Sequence, residues 1–460
     1  MVRSQPNNTN AEVSVAEEIA YALAVGLART MWMLVRLAFW FPMISVPLAG
    51  CGAVFYWHGR APGIASLIAF AACLVAWRVL HPASFRRWIT TRIRARWRRW
   101  ATYTSPWADI CALHRLTKEL NEDVLVPRLE RAVIGVTTDL LTVRMLAGQS
   151  TTDWAKQSEA LAHAFKAESV QVRTMQPGWI QIHVRHHDTL NTPVPAPAPV
   201  EPIDLTAVRA GIDETGRPWV LRILGRHILI AGATGSGKGG VAWSLLVGLA
   251  PSIRDGYTRV WVVDPKGGME FGAGRAMFDR FAYDAAESTL GLLRDAVAVM
   301  TGRANRLRGI TRQHVPTSAE PLIVVIIDEI ASLTSYISDR KIKTEVEQLL
   351  GLLLSQGRAV GVSVIACVQD PSKDVLTLRQ LFPTRVALRM SETSQAVMVL
   401  GQGARDRGAL CELIPESTPG VAYVTEDGSA EVTRVRAFHV TDSDIDTLRR
   451  TYRPPTTPAT

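Results

Sequence analysis

The sequence is poor in cysteine and lacks the spacings at which cysteines act in pairs. Its five cysteines are Cys51, Cys73, Cys111, Cys367 and Cys411. No two of them form a CxxC motif or another paired spacing, so neither a disulfide framework nor a zinc site is indicated. A chain of 460 residues is also too long for one ordinary domain, so we expect two or three folded units.

Charged side chains are missing from the 21 residues between Leu37 and Trp57. A helix of this length spans the roughly 30 Å hydrocarbon core of a bilayer. A second apolar run follows over residues 61–80, and Arg78 is its one charged residue. We predict two transmembrane helices, at about 37–57 and 61–80, in a multi-pass cell-membrane protein. A pair of buried core helices and a cleaved signal peptide are the alternatives.

Acidic side chains are missing from the basic stretch between Arg78 and Arg99. Its eight arginines supply most of the net charge of +9: Arg78, Arg86, Arg87, Arg92, Arg94, Arg96, Arg98 and Arg99. The two predicted transmembrane helices form a hairpin. Arginines flank both sides of this hairpin and only Arg60 lies in the connection between its helices, so both termini are predicted to be cytoplasmic. Trp88, Trp97 and Trp100 are interleaved with the arginines. This pattern suits an anionic lipid surface, which we favour, or nucleic acid.

Residues 101–190 have the β-α-β-β rhythm of a small α+β module. Apolar residues alternate around Leu141 and again over residues 180–184, and a helix is predicted over residues 151–166. Three histidines near Asp188 suggest a metal cluster only weakly, because no ligand at a usual spacing follows. The prolines of residues 191–202 predict a semi-rigid linker. Residues 1–100 are assigned to the membrane segment. The linker is the last predicted domain boundary, and a third unit follows it.

A strand, a glycine-rich loop and a helix follow the linker in that order. The loop reads GATGSGKGG: Gly232, Ala233, Thr234, Gly235, Ser236, Gly237, Lys238, Gly239 and Gly240. Its glycines let backbone amides point at phosphates, and Lys238 adds a positive charge, so the loop predicts ATP binding. Gly239, however, stands where the phosphate-loop pattern has Ser or Thr. We expect weakened Mg²⁺ coordination there, with water replacing the hydroxyl, and retained turnover.

Polar residues end three further apolar strands of the same region. The run Leu322–Ile327 ends in Asp328 and Glu329, a pair that predicts a Mg²⁺ carboxylate and a residue that activates the attacking water. Another strand precedes Asp264, and a third ends at Gln369. Gln369 is a candidate sensor of the γ-phosphate, or else a solvent-exposed residue at a strand end. Together these strands predict an open, mostly parallel α/β sheet that binds its ligand at the carboxyl ends.

These motifs resemble the motor domain of the FtsK/SpoIIIE family of double-stranded DNA translocases. The matching segments are the Asp264-Pro-Lys sequence, VVIIDEIASL, GRAVGVSVIACVQDPS and FPTRVALRM, and the sequence DPKGGMEFG is similar to actinobacterial conjugative transfer proteins of TraB type. The resemblance implies a RecA-like motor over residues 203–445 that assembles as a hexameric ring. It also implies that ATP is hydrolysed at subunit interfaces, with Arg358 reaching the neighbouring subunit's site and Arg385 as the second choice.

The sequence therefore predicts a membrane-anchored DNA translocase for conjugative transfer, working with accessory conjugation or DNA-loading proteins. Chromosome segregation and protein secretion are alternative functions, and a nucleotide-binding scaffold without turnover is another. We do not expect the winged-helix module by which many members of the similar family read DNA. Residues 446–460 are predicted to be a disordered tail.

Overall fold

The computed structural model describes residues 42–120, 123–135, 137–201, 203–284, 287–335, 337, 339–371, 378–429 and 431–455. Residues 37–41 of the first predicted span and residues 456–460 of the predicted tail lie outside these ranges. The chain divides into two compact units, Met1–His186 and His187–Thr460. The division falls a few residues before the predicted linker.

The first unit begins with helices. They are Pro42–His58 (α1), Arg60–Leu80 (α2), Pro82–Phe85 (α3), Thr91–Arg98 (α4) and Trp107–Leu113 (α5), with π-helical turns at Arg86–Thr90 and Arg99–Thr104. Gly59, with a positive φ of 89°, separates α1 from α2. Among the described residues, α2 is the one helix whose length and apolar composition suffice to cross a membrane.

A small α+β module completes the first unit. Its elements are Lys118–Leu120 (β1), Asp123–Leu125 (β2), Arg128–Val133 (β3), Thr138–Arg144 (β4), Thr151–Ala155 (α6), Ser158–Ala164 (α7), Ser169–Gln176 (β5) and Trp179–Arg185 (β6). Strands β3, β4, β6 and β5 form an antiparallel sheet in that order. The predicted helix is broken in two at Lys156 and Gln157, and β3 was not predicted. Trp154 and Phe165 fill the core.

Strand β6 contains the apolar alternation predicted over residues 180–184 and one of the three histidines considered as metal ligands. Ile180, Ile182 and Val184 are fully buried on one face of β6. His183 lies on the other face, where its Nε2 is 2.9 Å from Gln181 Oε1. Burial lowers the pKa of His183 to about 4. His183 is therefore a neutral side chain of the sheet surface at physiological pH.

The second unit is built around one large sheet. Its strands are Val194–Pro195 (β7), Val208–Asp213 (β8), Pro218–Leu221 (β9), Ile228–Ala231 (β10), Thr258–Val263 (β11), Arg280–Ala282 (β12), Leu322–Ile327 (β13), Val362–Val368 (β14), Thr384–Ala387 (β15), Val421–Glu426 (β16) and Thr433–His439 (β17). The order is β12-β11-β13-β14-β10-β15-β16-β17-β8-β9, and β7 pairs with β17. The first six strands in this order are parallel: β12, β11, β13, β14, β10 and β15. Strands β16, β17, β8 and β9 then extend the sheet with antiparallel pairing. The predicted mostly parallel α/β motor fold is confirmed.

Helices cover both faces of this sheet. They are Lys238–Arg254 (α8), Glu287–Leu307 (α9), Ala331–Thr334 (α10), Arg340–Gln356 (α11), Thr393–Leu400 (α12), Gln402–Asp406 (α13) and Asp442–Thr451 (α14). Successive residues of β10 point to opposite faces: Ile228 and Ile230 join the core beneath α8, and Leu229 and Ala231 join the core beneath α9 and α11. A strand buried on both faces is continuously apolar, which is why the sequence pattern located it.

Helix α14 corrects one prediction. Residues 446–451 were assigned to a disordered tail, but they form the second half of α14. A capping box at Thr441 and Asp444 begins this helix, and Ile445 and Leu448 are buried against the sheet-facing core. The proline- and threonine-rich composition after Tyr452 masked this amphipathic turn in the sequence. Part of the predicted linker is ordered as well, because β7 pairs with β17.

Candidate nucleotide site

The glycine-rich loop lies at the carboxyl end of the central strand β10, between β14 and β15. Gly235 and Gly237 adopt positive φ angles of 72° and 98°, and Gly237 caps the first turn of α8. Only glycine adopts this left-handed backbone without strain. The loop therefore turns back on itself and presents the free amides of a helix N-terminus, which is a favourable place for a phosphate.

Neighbouring atoms leave no room for side chains at two positions of the loop. A Cβ at Gly237 would lie 2.4 Å from the Gly420 amide nitrogen, and one at Gly232 would lie 2.6 Å from Ser236 Oγ. The Gly420 amide also donates to the Ser236 carbonyl at 2.8 Å. The loop is thus held by the segment before β16 as well as by its own strand. Gly240, in contrast, has no atom within 4 Å of its Cβ position.

Lys238 is directed back into the loop. Its Nζ donates to the carbonyls of Gly232 at 2.8 Å and Ala233 at 3.2 Å. Burial lowers the pKa of Lys238. A partly desolvated ammonium group bonded to loop carbonyls is placed to exchange those carbonyls for the oxygens of a phosphate.

Asp328 and Glu329 follow β13 and are almost fully buried, with 5% and 4% of their surfaces exposed. Asp328 Oδ2 forms an ion pair with Lys266 Nζ at 3.0 Å. Glu329 Oε2 accepts from the Gln369 amide at 3.2 Å, and its Oε1 accepts from the Ala331 amide at 3.3 Å. Burial raises the pKa of Glu329 although these amides oppose the shift. Glu329 is consequently a stronger base than a surface glutamate.

Gln369, at the end of β14, connects the loop to this acidic pair. Its Nε2 donates to Thr234 Oγ1, and its backbone amide donates to Glu329. Arg389, which sequence analysis missed, donates to the Thr234 carbonyl at 3.1 Å and pairs with Glu416 at 3.1 Å. The signal for Arg389 was its position just after β15, at the same sheet edge as the loop. Thr234 is therefore held by the ends of two flanking strands.

The turn after β11 contributes a second set of groups, for which sequence analysis predicted only that Asp264 lies at the ligand-binding ends of the strands. Asp264 is fully buried, and its Oδ2 accepts from the amides of Glu270 and Phe271, both at 2.9 Å. Burial raises the pKa of Glu270, and the charges of Asp328 and Asp264 raise it further. Burial alone would lower the pKa of Lys266, but the hydrogen bond and the charge of the Asp328 carboxylate outweigh this effect. The pKa of Lys266 is therefore raised. Two lysines and four carboxylates thus converge around the loop.

Arg358 and Arg385 lie at the opposite edge of the sheet. Arg358 is exposed in a short 3₁₀ turn, Gly357–Val360, before β14 begins. Arg385 is in β15 opposite Leu229, at the end of the strands away from the loop. Its Nε donates to the Phe382 carbonyl at 3.0 Å, and burial lowers its pKa. The structure therefore does not bring either arginine to the loop of its own chain.

The donor set fits a nucleotide and a divalent cation. Within the described residues Ser236 Oγ and Asp264 Oδ1 are buried without a hydrogen-bond partner, and buried polar groups of this kind are expected to have partners in the working protein. Carboxylate and hydroxyl oxygens are the ligands that Mg²⁺ prefers. Loop amides and Lys238 suit phosphate oxygens. The predicted ATP and Mg²⁺ site is chemically consistent with this geometry.

The matches to known protein families divide the chain close to the boundary between its two compact units. Residues 74–186 match the model of an actinomycete conjugal transfer protein N-terminal domain. Residues 202–409 match the FtsK/SpoIIIE family. The second match contains the loop, the acidic pair, Gln369 and Arg389.

Similar individual proteins include transfer protein TraSA of Streptomyces ambofaciens, 27% identical over 353 residues, which cover 72% of this chain and 83% of that protein. DNA translocase FtsK of Halalkalibacterium halodurans is 24% identical over 371 residues, 73% of this chain and 44% of that protein. The chain thus matches less than half of this longer relative. Among solved structures, the pCW3 conjugation coupling protein TcpA, a monomer with ATPγS, has a TM-score of 0.49 and 18% identity. That match covers 75% of this chain and 99% of that one.

Proposed function

Because residues 202–409 form a P-loop ATPase domain of the FtsK/SpoIIIE family, we propose that this chain is a membrane-anchored, ATP-driven translocase of double-stranded DNA that serves conjugative transfer. The order of two regions carries the proposal: a conjugal transfer N-terminal domain precedes an FtsK/SpoIIIE domain. The similarity to TraSA over most of both chains supports conjugation rather than chromosome segregation.

The residues of the site have distinct roles in this function. Lys238 and the loop amides bind the β- and γ-phosphates of ATP. Glu329 orients the attacking water and accepts its proton, and its raised pKa suits that task at neutral pH. Gln369 contacts both Glu329 and Thr234, so it can sense whether the γ-phosphate is present.

Asp328, almost fully buried after β13, would hold the Mg²⁺ that accompanies the nucleotide. Bound Mg²⁺ would neutralise charge on the β- and γ-phosphate oxygens. Lys266 pairs with the same carboxylate at 3.0 Å and keeps it in place.

A head-to-tail ring, hexameric in our proposal, gives the distant arginines a use. Arg358 is exposed at the sheet edge opposite the loop, so a heterologous contact sets the arginine edge of one subunit against the phosphate edge of the next. An arginine supplied in this way accelerates hydrolysis by stabilising charge in the transition state. Arg385 is the weaker candidate, because it is bonded to its own chain and partly buried.

The first unit anchors the motor in this proposal. Helices α1 and α2 form a hairpin with both termini cytoplasmic, and α2 has the length and composition to span the bilayer. After α2, the Arg92 guanidinium lies 4.3 Å from the centre of the Trp88 ring. Arginine and tryptophan side chains that alternate in this way suit the headgroups of an anionic membrane. DNA is bound through its phosphates by the motor, so its affinity falls steeply with salt.

The test is ATP hydrolysis by the full chain in nanodiscs of anionic lipid, with and without double-stranded DNA. We expect DNA to stimulate hydrolysis and Lys238→Ala to abolish it, while Lys341→Ala, at an exposed lysine of α11, retains it. Hydrolysis that is indifferent to DNA would favour a protein substrate, and no hydrolysis by assembled rings would refute the motor. Loss of plasmid transfer with intact chromosome partition in Lys238→Ala cells would separate conjugation from segregation.

A further inference from the structure

The volume beside Gly239 is filled by a side chain from another part of the fold. A Cβ built on Gly239 would lie 1.7 Å from Glu270 Oε1 and 2.5 Å from Glu270 Cδ. The oxygen is thus about as far from this Cβ position as a serine hydroxyl is from its own Cβ. The Glu270 carboxylate therefore occupies the volume that the side chain of a Ser or Thr at residue 239 would fill.

The backbone of Glu270 is fixed with respect to the loop. Its amide and that of Phe271 donate to the buried carboxylate of Asp264, both at 2.9 Å. The Phe271 ring is fully buried and lies 5.5 Å from the ring of Trp243, which belongs to the helix that Lys238 begins. The first contact closes the turn, and the second holds it against the first part of α8. The backbone of Glu270 is therefore fixed where its side chain reaches residue 239.

Negative charges near Glu270 make a cation favourable beside its carboxylate. Asp328 and Asp264 are close enough to repel the charge of Glu270, and Lys238 and Lys266 partly offset that repulsion. A carboxylate binds Mg²⁺ more strongly than a neutral hydroxyl does, because it adds a full negative charge to the oxygen ligand. The missing hydroxyl therefore has a chemically competent replacement next to the acidic pair.

We propose that Glu270 is the ligand, in place of the absent Ser or Thr hydroxyl, for the divalent cation that accompanies the nucleotide. This inference rests on the proposed ATPase function and names a metal ligand for it. It replaces the sequence-based expectation that water takes the vacated position. It also explains why glycine at residue 239 is compatible with turnover: the side chain that would occupy this volume comes from the turn after β11.

The experiment uses Mn²⁺ as a spin probe on the full chain in nanodiscs with ADP. Electron paramagnetic resonance measures the affinity for Mn²⁺, and a fluorescent ADP measures nucleotide affinity in EDTA. We expect Glu270→Gln to weaken Mn²⁺ binding by about tenfold or more with metal-free nucleotide affinity unchanged. Glu287→Gln, at an exposed glutamate of α9 with an 85% exposed side chain, is the matched control and retains wild-type Mn²⁺ affinity.

A second variant tests whether Glu270 and the hydroxyl serve the same purpose. Gly239→Ser moves the Glu270 carboxylate aside at low cost, because the clashing atom is the end of a flexible side chain. The new hydroxyl can then bind the metal, so Glu270→Gln should cost little in the Gly239→Ser background. Equal Mn²⁺ affinity in wild type and Glu270→Gln, or an equal loss in both backgrounds, would overturn the inference. If wild type binds no nucleotide, the proposed ATPase function itself fails.

Discussion

His227 gives the motor unit a pH dependence that can be calculated from its surroundings. It is fully buried just before β10, and its Nδ1 accepts from the Val364 amide at 3.0 Å. Burial and the charge of Arg358 lower its pKa from 6.5 to about 3. Protonation would bury a charge and also place a proton on the nitrogen that accepts this bond.

The sign and size of the effect follow from linkage. The unfolded chain binds the proton more readily, so the contribution of His227 is complete above its unfolded pKa of about 6.5 and is lost as the pH falls below it. Between pH 7.5 and pH 5 the free energy of unfolding decreases by about 2 kcal/mol from this residue, and any folded pKa below about 4 gives the same value. For a unit of this size the melting temperature falls by roughly 4–8 °C.

The assay compares thermal unfolding of wild type and His227→Asn by tryptophan fluorescence at pH 7.5 and pH 5. Asparagine Oδ1 stands where Nδ1 of His227 accepts from the Val364 amide, and it does not titrate. We therefore expect the variant to lose roughly 4–8 °C less than wild type on acidification. All other titrating groups are common to both proteins and cancel in the difference. Identical acid shifts for the two proteins would refute the reasoning, because His227 would then titrate alike in the folded and unfolded states.

Two further predictions concern charged side chains away from the phosphate loop. Arg358→Ala should lower ATP hydrolysis by about a thousandfold yet leave nucleotide affinity unchanged. Rings that mix Arg358→Ala and Lys238→Ala subunits should regain activity at the interfaces where Arg358 of one subunit meets Lys238 of the next. No gain on mixing would place Arg358 outside the active interface. In the first unit, Asp139 is fully buried and accepts from Tyr103 Oη at 2.7 Å and the Gly135 amide at 3.0 Å, and it pairs with Arg98. Asp139→Ala should cost about 3–5 kcal/mol of stability, seen as faster tryptic cleavage of this unit, and wild-type resistance to trypsin would contradict that role.

The parallel half of the sheet could be predicted from sequence because each strand carries its own signal. Runs such as Leu322–Ile327 are apolar throughout and end in polar residues, and burial on both faces requires that pattern. The antiparallel half could not be predicted in the same way. Strand β8, before the loop, pairs with β17 near the end of the second unit, and such a long-range pairing leaves no local trace in the sequence.

The candidate site was predictable to the same extent. Lys238, Asp328 and Glu329 belong to contiguous motifs whose chemistry is readable residue by residue. Arg389 and Glu270 were missed because neither belongs to a motif with a residue-level role. Each becomes part of the site only because the ends of parallel strands meet at one edge of the sheet. That convergence depends on strand order, which the sequence pattern does not specify.

Gly239 illustrates how this limit affects an argument about function. From the sequence alone, Gly239 leaves the phosphate loop without its usual hydroxyl, and the expected consequence is weaker metal binding. In the fold, Phe271 packs against Trp243 of the helix that the loop begins, and Oε1 of the neighbouring Glu270 lies 1.7 Å from the Cβ position of Gly239. The two residues compete for one volume, so each constrains what the other can be. A motif residue that seems lost should therefore be judged together with the side chain that fills its place, and here that side chain is an oxygen donor.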